Sequence, residues 1–249
     1  MNMSLFSRKN TLKLLQNHKI PFSLWCEVIA QLPLIRPLSS SHKARLRILA
    51  SNLLQDKDFT GAAGQEVTPE MRVCISAQAC LPILKLGLNS YQGWQQVIIY
   101  PGAFRVERNV TDEYGVVHRQ SNALSGEAWS QGPLILSWDD VQRDSFTLTP
   151  GHNVVIHEFA HKLDMLNGRA NGMPPLHPDM PISSWTQALS EAYATLVAQQ
   201  AQDSCINPYA ATNPAEFFAV ACEYFFTAPD ILQQHCPKVY KQLHAYFRR

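Results

Sequence analysis

The chain has 249 residues, a length that fits one large domain or two small ones, and 46% hydrophobic with 16% charged residues describes a folded chain rather than a disordered one. With 21 Lys and Arg against 20 Asp and Glu, the net charge of +1 offers no broad basic surface for nucleic acid or an anionic membrane. The most apolar stretch, Ala77 to Leu88, is broken by Gln78, Pro82, Lys85 and Gly87, and falls short of the roughly 18 apolar residues of a spanning helix.

The first twenty residues scatter charges among their leucines and lack the continuous apolar segment of a secretory signal, so a cytoplasmic location is expected. Six cysteines without a C-x-x-C pair read as reduced, buried thiols rather than a zinc ribbon or a disulfide framework. Helical patterns follow at Phe22 to Gln31, Ser41 to Gln55 and Thr68 to Leu86. In the last of these Thr68 can cap, Pro69 suits the first turn and Gly87 can stop the helix. Between Gln96 and Trp138 the signal changes to short β-rich runs, VIIY, FRVERNV, GVVHRQ and LILSW, with TDEYG as a hairpin turn. Helical periodicity returns at Val154 to Leu166, Trp185 to Gln200, Pro214 to Phe226 and Pro229 to Phe247. The loop from Gly168 to Ser184, rich in Gly and Pro, is long enough to form a cleft wall. The expectation is a single α+β domain over residues 1–249, mainly helical to residue 95, with a small sheet and further helices after it.

Residues 157 to 161 read His-Glu-Phe-Ala-His, and a helix places His157 and His161 one turn apart on one face, where both imidazoles can reach one Zn²⁺. Glu158 beside them is placed to act as a general base on water. With nine histidines in the chain, the pattern is expected by chance only on the order of 0.01 times. Thr149 and Pro150 can start this helix, and Asn167-Gly168 can end it. A catalytic zinc takes three protein ligands, so a third must lie elsewhere. The metzincin pattern fails, because Asp164 stands where a glycine and Asn167 where a histidine would be needed. Asp164 reads instead as a supporting group behind the ligands or a charge at the helix end.

Two downstream carboxylates compete. Glu191 points away from the apolar stripe of Trp185, Leu189, Ala192 and Leu196 and reads as solvated. Glu216 opens a very apolar helix in Asn213-Pro214-Ala215-Glu216, and Glu223 follows seven residues on, about 20° away in projection. A capping-box start through Asn213 would account for Glu216 without a metal, but leaves Glu223 unexplained. We therefore assign Glu216 to the metal and place Glu223 behind the ligands.

The segments HEFAHKLD, YAATNPAEFFAVACEYFF and SGEAWSQGPLILSW together resemble the Mlc titration factor A family, and the resemblance spans nearly the whole chain. The resemblance implies a zincin-like bacterial zinc metallopeptidase related to the lethal-factor catalytic domain. It implies one Zn²⁺ per chain held by His157, His161 and Glu216, with Glu158 as general base and Tyr209 as a catalytic tyrosine facing the oxyanion. It also places His118 where a histidine can reach the metal as a fourth, inhibitory ligand. The lethal-factor type carries an acid four residues after the third ligand, where this chain has Val220. The implied activity is aminopeptidase-like cleavage of a peptide substrate, its groove formed by the Pro- and Gly-rich loop and by the LILSW strand pairing with the peptide. The implied partner is the transcriptional repressor Mlc, whose sequestration changes glucose phosphotransferase gene expression. From a different functional class, repressor sequestration could be the main role and peptidase activity secondary.

Overall fold

The structure is a computed structural model that describes residues 20–102, 104–111, 117–124, 126–128, 132–198 and 206–247, with the backbone only between 104 and 128. Three helices open it: α1 (Phe22–Gln31), α2 (Ser40–Asp56) and α3 (Pro69–Ala79). Their starts follow the local chemistry. The Ser39 hydroxyl accepts the His42 N–H, and Thr68 accepts the Met71 N–H with Pro69 in the first helical position, where its missing N–H costs nothing. The helix expected to reach Leu86 ends at Ala79, because Pro82 disfavours helical backbone at Leu81 and cannot donate; the chain continues in tight turns to a 3₁₀ segment, Leu88–Tyr91.

The sheet is mixed. Strands β1 (Asp58–Gly61), β2 (Gln96–Tyr100) and β6 (Leu134–Ser137) are parallel, and β5 (Gly126–Ala128) lies antiparallel on β6, in the order β1-β2-β6-β5. β1 lies inside the region expected to be helical, and four residues carry too little pattern to show it. The register sets Val97 opposite Leu134 and Ile99 opposite Leu136, so the parallel centre is apolar on both strands. Strands β3 (Phe104–Thr111) and β4 (Val117–Leu124) form a separate antiparallel pair; the TDEYG turn between them lies outside the described residues from Asp112 onward. The LILSW strand is β6, and both of its edges are taken, by β2 and β5. It therefore cannot pair with a peptide, and among the described strands the outer one on that side is β5.

After β6 the chain enters α4 (Trp138–Phe146), unmarked in the sequence reading, with Ser137 capping the Asp140 N–H. Then come α5 (Val154–Asp164), α6 (Ile182–Ala198), α7 (Pro214–Thr227), α8 (Pro229–His235) and α9 (Pro237–Phe247). The single helix expected over Pro229 to Phe247 is two, because Pro237 breaks it after His235. α5 starts at Asn153 rather than at Thr149-Pro150, since the Asn153 side chain accepts the Ile156 N–H. All eleven residues of α5 are buried, and one hydrophobic cluster reaches from Ile20 to Phe247 around it. Phe159 is gripped edge-on by Tyr91 and Trp94, at ring-centroid distances of 5.0 and 5.7 Å. No described helix is long and apolar enough to cross a membrane.

Candidate metal centre

A fully buried helix that carries two histidines, two acids and a lysine needs partners for them, since unpaired polar groups in such a place are costly. α7 supplies them. Asn213 caps it by accepting the Ala215 and Glu216 N–H groups at 2.9 and 3.0 Å, with Pro214 at the first position. The Glu216 carboxylate Oε2 faces α5, 3.0 Å from His157 Nε2 and 3.3 Å from His161 Nε2, and the two Nε2 atoms are 3.2 Å apart. Among the described residues, His157, His161 and Glu216 are the group of ligating side chains that converge in this way.

Two turns further along α7, Glu223 closes the arrangement. Its Oε1 lies 2.7 Å from His157 Nδ1, and its Oε2 accepts the Asn153 backbone N–H at 2.5 Å. A carboxylate only accepts, so Nδ1 carries a proton and Nε2 is the ring atom left to face Glu216 and His161, as a lone pair whenever the ring is neutral. His157 Nε2, His161 Nε2 and Glu216 Oε2 lie within 3.3 Å of one another, a contact that is favourable with a proton on an imidazole Nε2 or with a metal ion among the three atoms. Burial alone would lower the His157 pKa. The charge of Glu223 and the hydrogen bonds with Glu216 and Glu223 instead hold it well above the usual imidazole range. Burial would raise Glu216, yet hydrogen bonds from His157 and His161 hold it well below the usual carboxylate range. Two imidazoles and one carboxylate are the donor set of a catalytic divalent-metal site, and a proton at this point is the metal's competitor.

Glu158 is 4% exposed, and its Oε2 is buried without a hydrogen-bond partner among the described residues. Burial pushes its pKa above the usual carboxylate range, against the pull of His157 and His161. Tyr209 lies on the 3₁₀ segment Pro208–Ala211, where Asn207 Oδ1 accepts its N–H at 3.0 Å, and its half-exposed ring lies 6.0 Å from the His157 ring. His161 Nδ1 is buried without a partner among the described residues.

Residues 5–248 match the family described as glucose-regulated metallo-peptidase M90. The chain belongs to this family. Its relatives include proteins named Mlc titration factor A from Yersinia pestis (strain Pestoides F) and Yersinia pseudotuberculosis serotype O:1b (strain IP 31758). Each is 39% identical over 230 residues, covering 90% of this chain and 84% of the relative. The resemblance drawn from HEFAHKLD and the α7 segment thus holds across the chain.

Within this M90 chain, the other residues singled out by sequence fall as follows. Asp164 is fully buried at the end of α5, where its Oδ2 accepts the Asn171 and Gly172 N–H groups at 2.8 and 2.7 Å and its Oδ1 has no partner. It anchors the following loop. Glu191 is exposed, bound to Lys238 at 2.8 Å and to Gln187, as a solvated residue would be. His118 is in β4 opposite Val110, and its side chain lies outside what the structure describes.

Sequence reasoning missed the polar support behind Glu223. Asn153 Nδ2 donates to Gln78 Oε1 at 2.7 Å, and Gln78 Nε2 donates to Ser145 Oγ at 2.7 Å, all of them buried. Thr227 donates to the Glu223 carbonyl and accepts the Gly151 N–H. Their one sequence signal is a glutamine within an otherwise apolar helix face, 75 residues from its partner.

Proposed function

We propose that the protein is a zinc peptidase with aminopeptidase-like activity, in which His157, His161 and Glu216 hold one zinc ion. The observation that supports this best is the meeting of three metal-donor atoms beside an acid, Glu158, whose buried Oε2 has no partner. A zinc ion bound there supplies Lewis acidity toward a peptide carbonyl and makes a nucleophile of water near neutral pH.

The chain's own residues supply the proton transfers. Glu158, held above its usual pKa by burial, accepts a proton from the attacking water and returns it to the leaving amine. The Tyr209 hydroxyl donates to the oxyanion that forms as the carbonyl becomes tetrahedral. Glu223 holds His157 in the Nδ1–H tautomer, and Asp164 fixes the loop beyond α5. The outer edge of β5 offers hydrogen-bonding groups to an extended peptide, giving a zincin-like cleft in a chain that works as one unit over 1–249. His118, on the β3–β4 pair, is a fourth ligand that closes the site at rest and must withdraw for turnover.

A second reading is favoured by the name its relatives carry, Mlc titration factor A. In it the protein binds the transcriptional repressor Mlc in the cytoplasm and so regulates glucose phosphotransferase genes. Two experiments test the pair. A panel of chromogenic peptides with free or blocked N-termini should be cleaved only when free; cleavage of blocked peptides at equal rates would exclude an aminopeptidase. In a pull-down, Glu158→Gln should retain the repressor while losing peptidase activity, and loss of both would join the two functions in one site.

A further inference from the structure

A cavity of about 320 Å³ opens between the Asn171–Met173 loop, α6 and the first turn of α7. Its walls are Met173, Trp185, Leu189, Tyr193, Pro214 and Phe217, and among the described residues no charged side chain lines it. Thr186 and Ser190, exposed and one turn apart on α6, form its rim.

The walls belong to segments that also carry residues of the candidate metal centre, although none of those residues lines the cavity itself. Pro214 and Phe217 bracket Glu216 on the same turn of α7. The loop wall is tied to Asp164, three residues after His161, through the Asn171 and Gly172 amides. Gly172, at φ +81°, cannot be another residue, since a Cβ there would come within 2.6 Å of the Pro214 carbonyl oxygen. Its own carbonyl accepts the Trp185 indole N–H at 3.0 Å, which locks the cavity floor. Tyr193 meets Phe217 edge-on at 5.9 Å and donates its hydroxyl to the Ala211 carbonyl, on the segment that carries Tyr209.

We propose that this cavity is the side-chain specificity pocket of the peptidase and takes an apolar residue of leucine, methionine or phenylalanine size next to the scissile bond. This rests on the peptidase reading above and deepens it by naming the substrate class. A cavity with apolar walls favours such a side chain and rejects a charged one, which would be stripped of water without a partner. Filling it should favour leucine over alanine at the recognised position by about 10- to 100-fold in kcat/KM.

The test uses zinc-loaded full-length protein and peptides that differ only at one residue beside the cleaved bond: Ala, Leu, Phe, Asp or Lys. Ser190→Trp, which fills the mouth, should lower kcat/KM for Leu and Phe peptides by about 10-fold while sparing the Ala peptide. Ser190→Asp should move the ratio toward Lys by a similar factor. Because Ser190 is exposed, both variants should keep wild-type zinc content and melting temperature. A parallel binding measurement on metal-free protein, with reduced-amide peptides that cannot be cleaved, should show the same Leu-over-Lys order and the same reversal in Ser190→Asp. Hydrolysis by the wild type with ratios unmoved in both variants overturns the pocket and leaves the peptidase reading standing. A zinc-loaded wild type that cleaves none of the peptides overturns the peptidase reading, and the pocket's role falls with it.

Discussion

Glu223 joins the His157 ring to the start of the helix that carries it, with one carboxylate oxygen 2.7 Å from Nδ1 and the other accepting the Asn153 N–H. One side chain thereby fixes both the tautomer of a candidate ligand and its position along α5. Asn153 is itself held twice, by its cap to Ile156 and by Gln78. The metal-facing geometry thus depends on polar contacts that reach back to α3.

Replacing Glu223 by glutamine keeps the shape but removes the charge and sets an amide against two N–H donors that both need an acceptor. Zinc affinity should fall by about 10- to 100-fold, measured by competition with a chromogenic chelator. Gln78→Leu should give a smaller loss in the same assay. An unchanged affinity in Glu223→Gln would mean that His157 needs no partner at Nδ1.

Glu158→Gln removes the acid beside the three donors and leaves the donors in place. Zinc content should be normal and turnover lower by about 10² to 10⁴. Near-normal activity in the metal-loaded variant would take the general-base role from Glu158.

Tyr209→Phe deletes one hydroxyl from a half-exposed ring 6.0 Å from the His157 ring. With the donor to the oxyanion lost, kcat should fall by roughly 10² with a smaller change in KM and no loss of zinc. If kcat does not move, the ring has only a packing role.

His118→Ala separates closure from decoration. As a fourth ligand that blocks the open position, His118 should raise zinc affinity and suppress basal turnover, so its removal should weaken the first and increase the second. A surface imidazole would leave both quantities unchanged.

Much of the site was legible because its residues recur at helical spacing. His157 and His161 at i and i+4, and Glu216 and Glu223 at i and i+7, share faces that follow from 3.6 residues per turn. What remained hidden depends on contacts between distant segments. Gln78 finds Asn153 only after folding, and Asp164 is committed to loop amides that no spacing announces. In the fold, β1 has only four residues, and α4 starts inside what reads as an apolar strand. Pro82 and Pro237 each end a helical pattern that apolar periodicity alone would carry further. The position of β6 between two neighbours, which excludes it from peptide pairing, is a property of strand order and cannot be read from the strand itself.

The metal itself gives the most direct test. Wild-type protein stripped with a chelator and reloaded should hold about one zinc per chain by elemental analysis, because two histidines and one glutamate complete one three-ligand set. His161→Ala and Glu216→Ala should each hold almost none after the same treatment. Glu191→Ala, on the exposed face bound to Lys238, should match the wild type. Full zinc occupancy in Glu216→Ala, or loss of zinc in Glu191→Ala, would contradict the site.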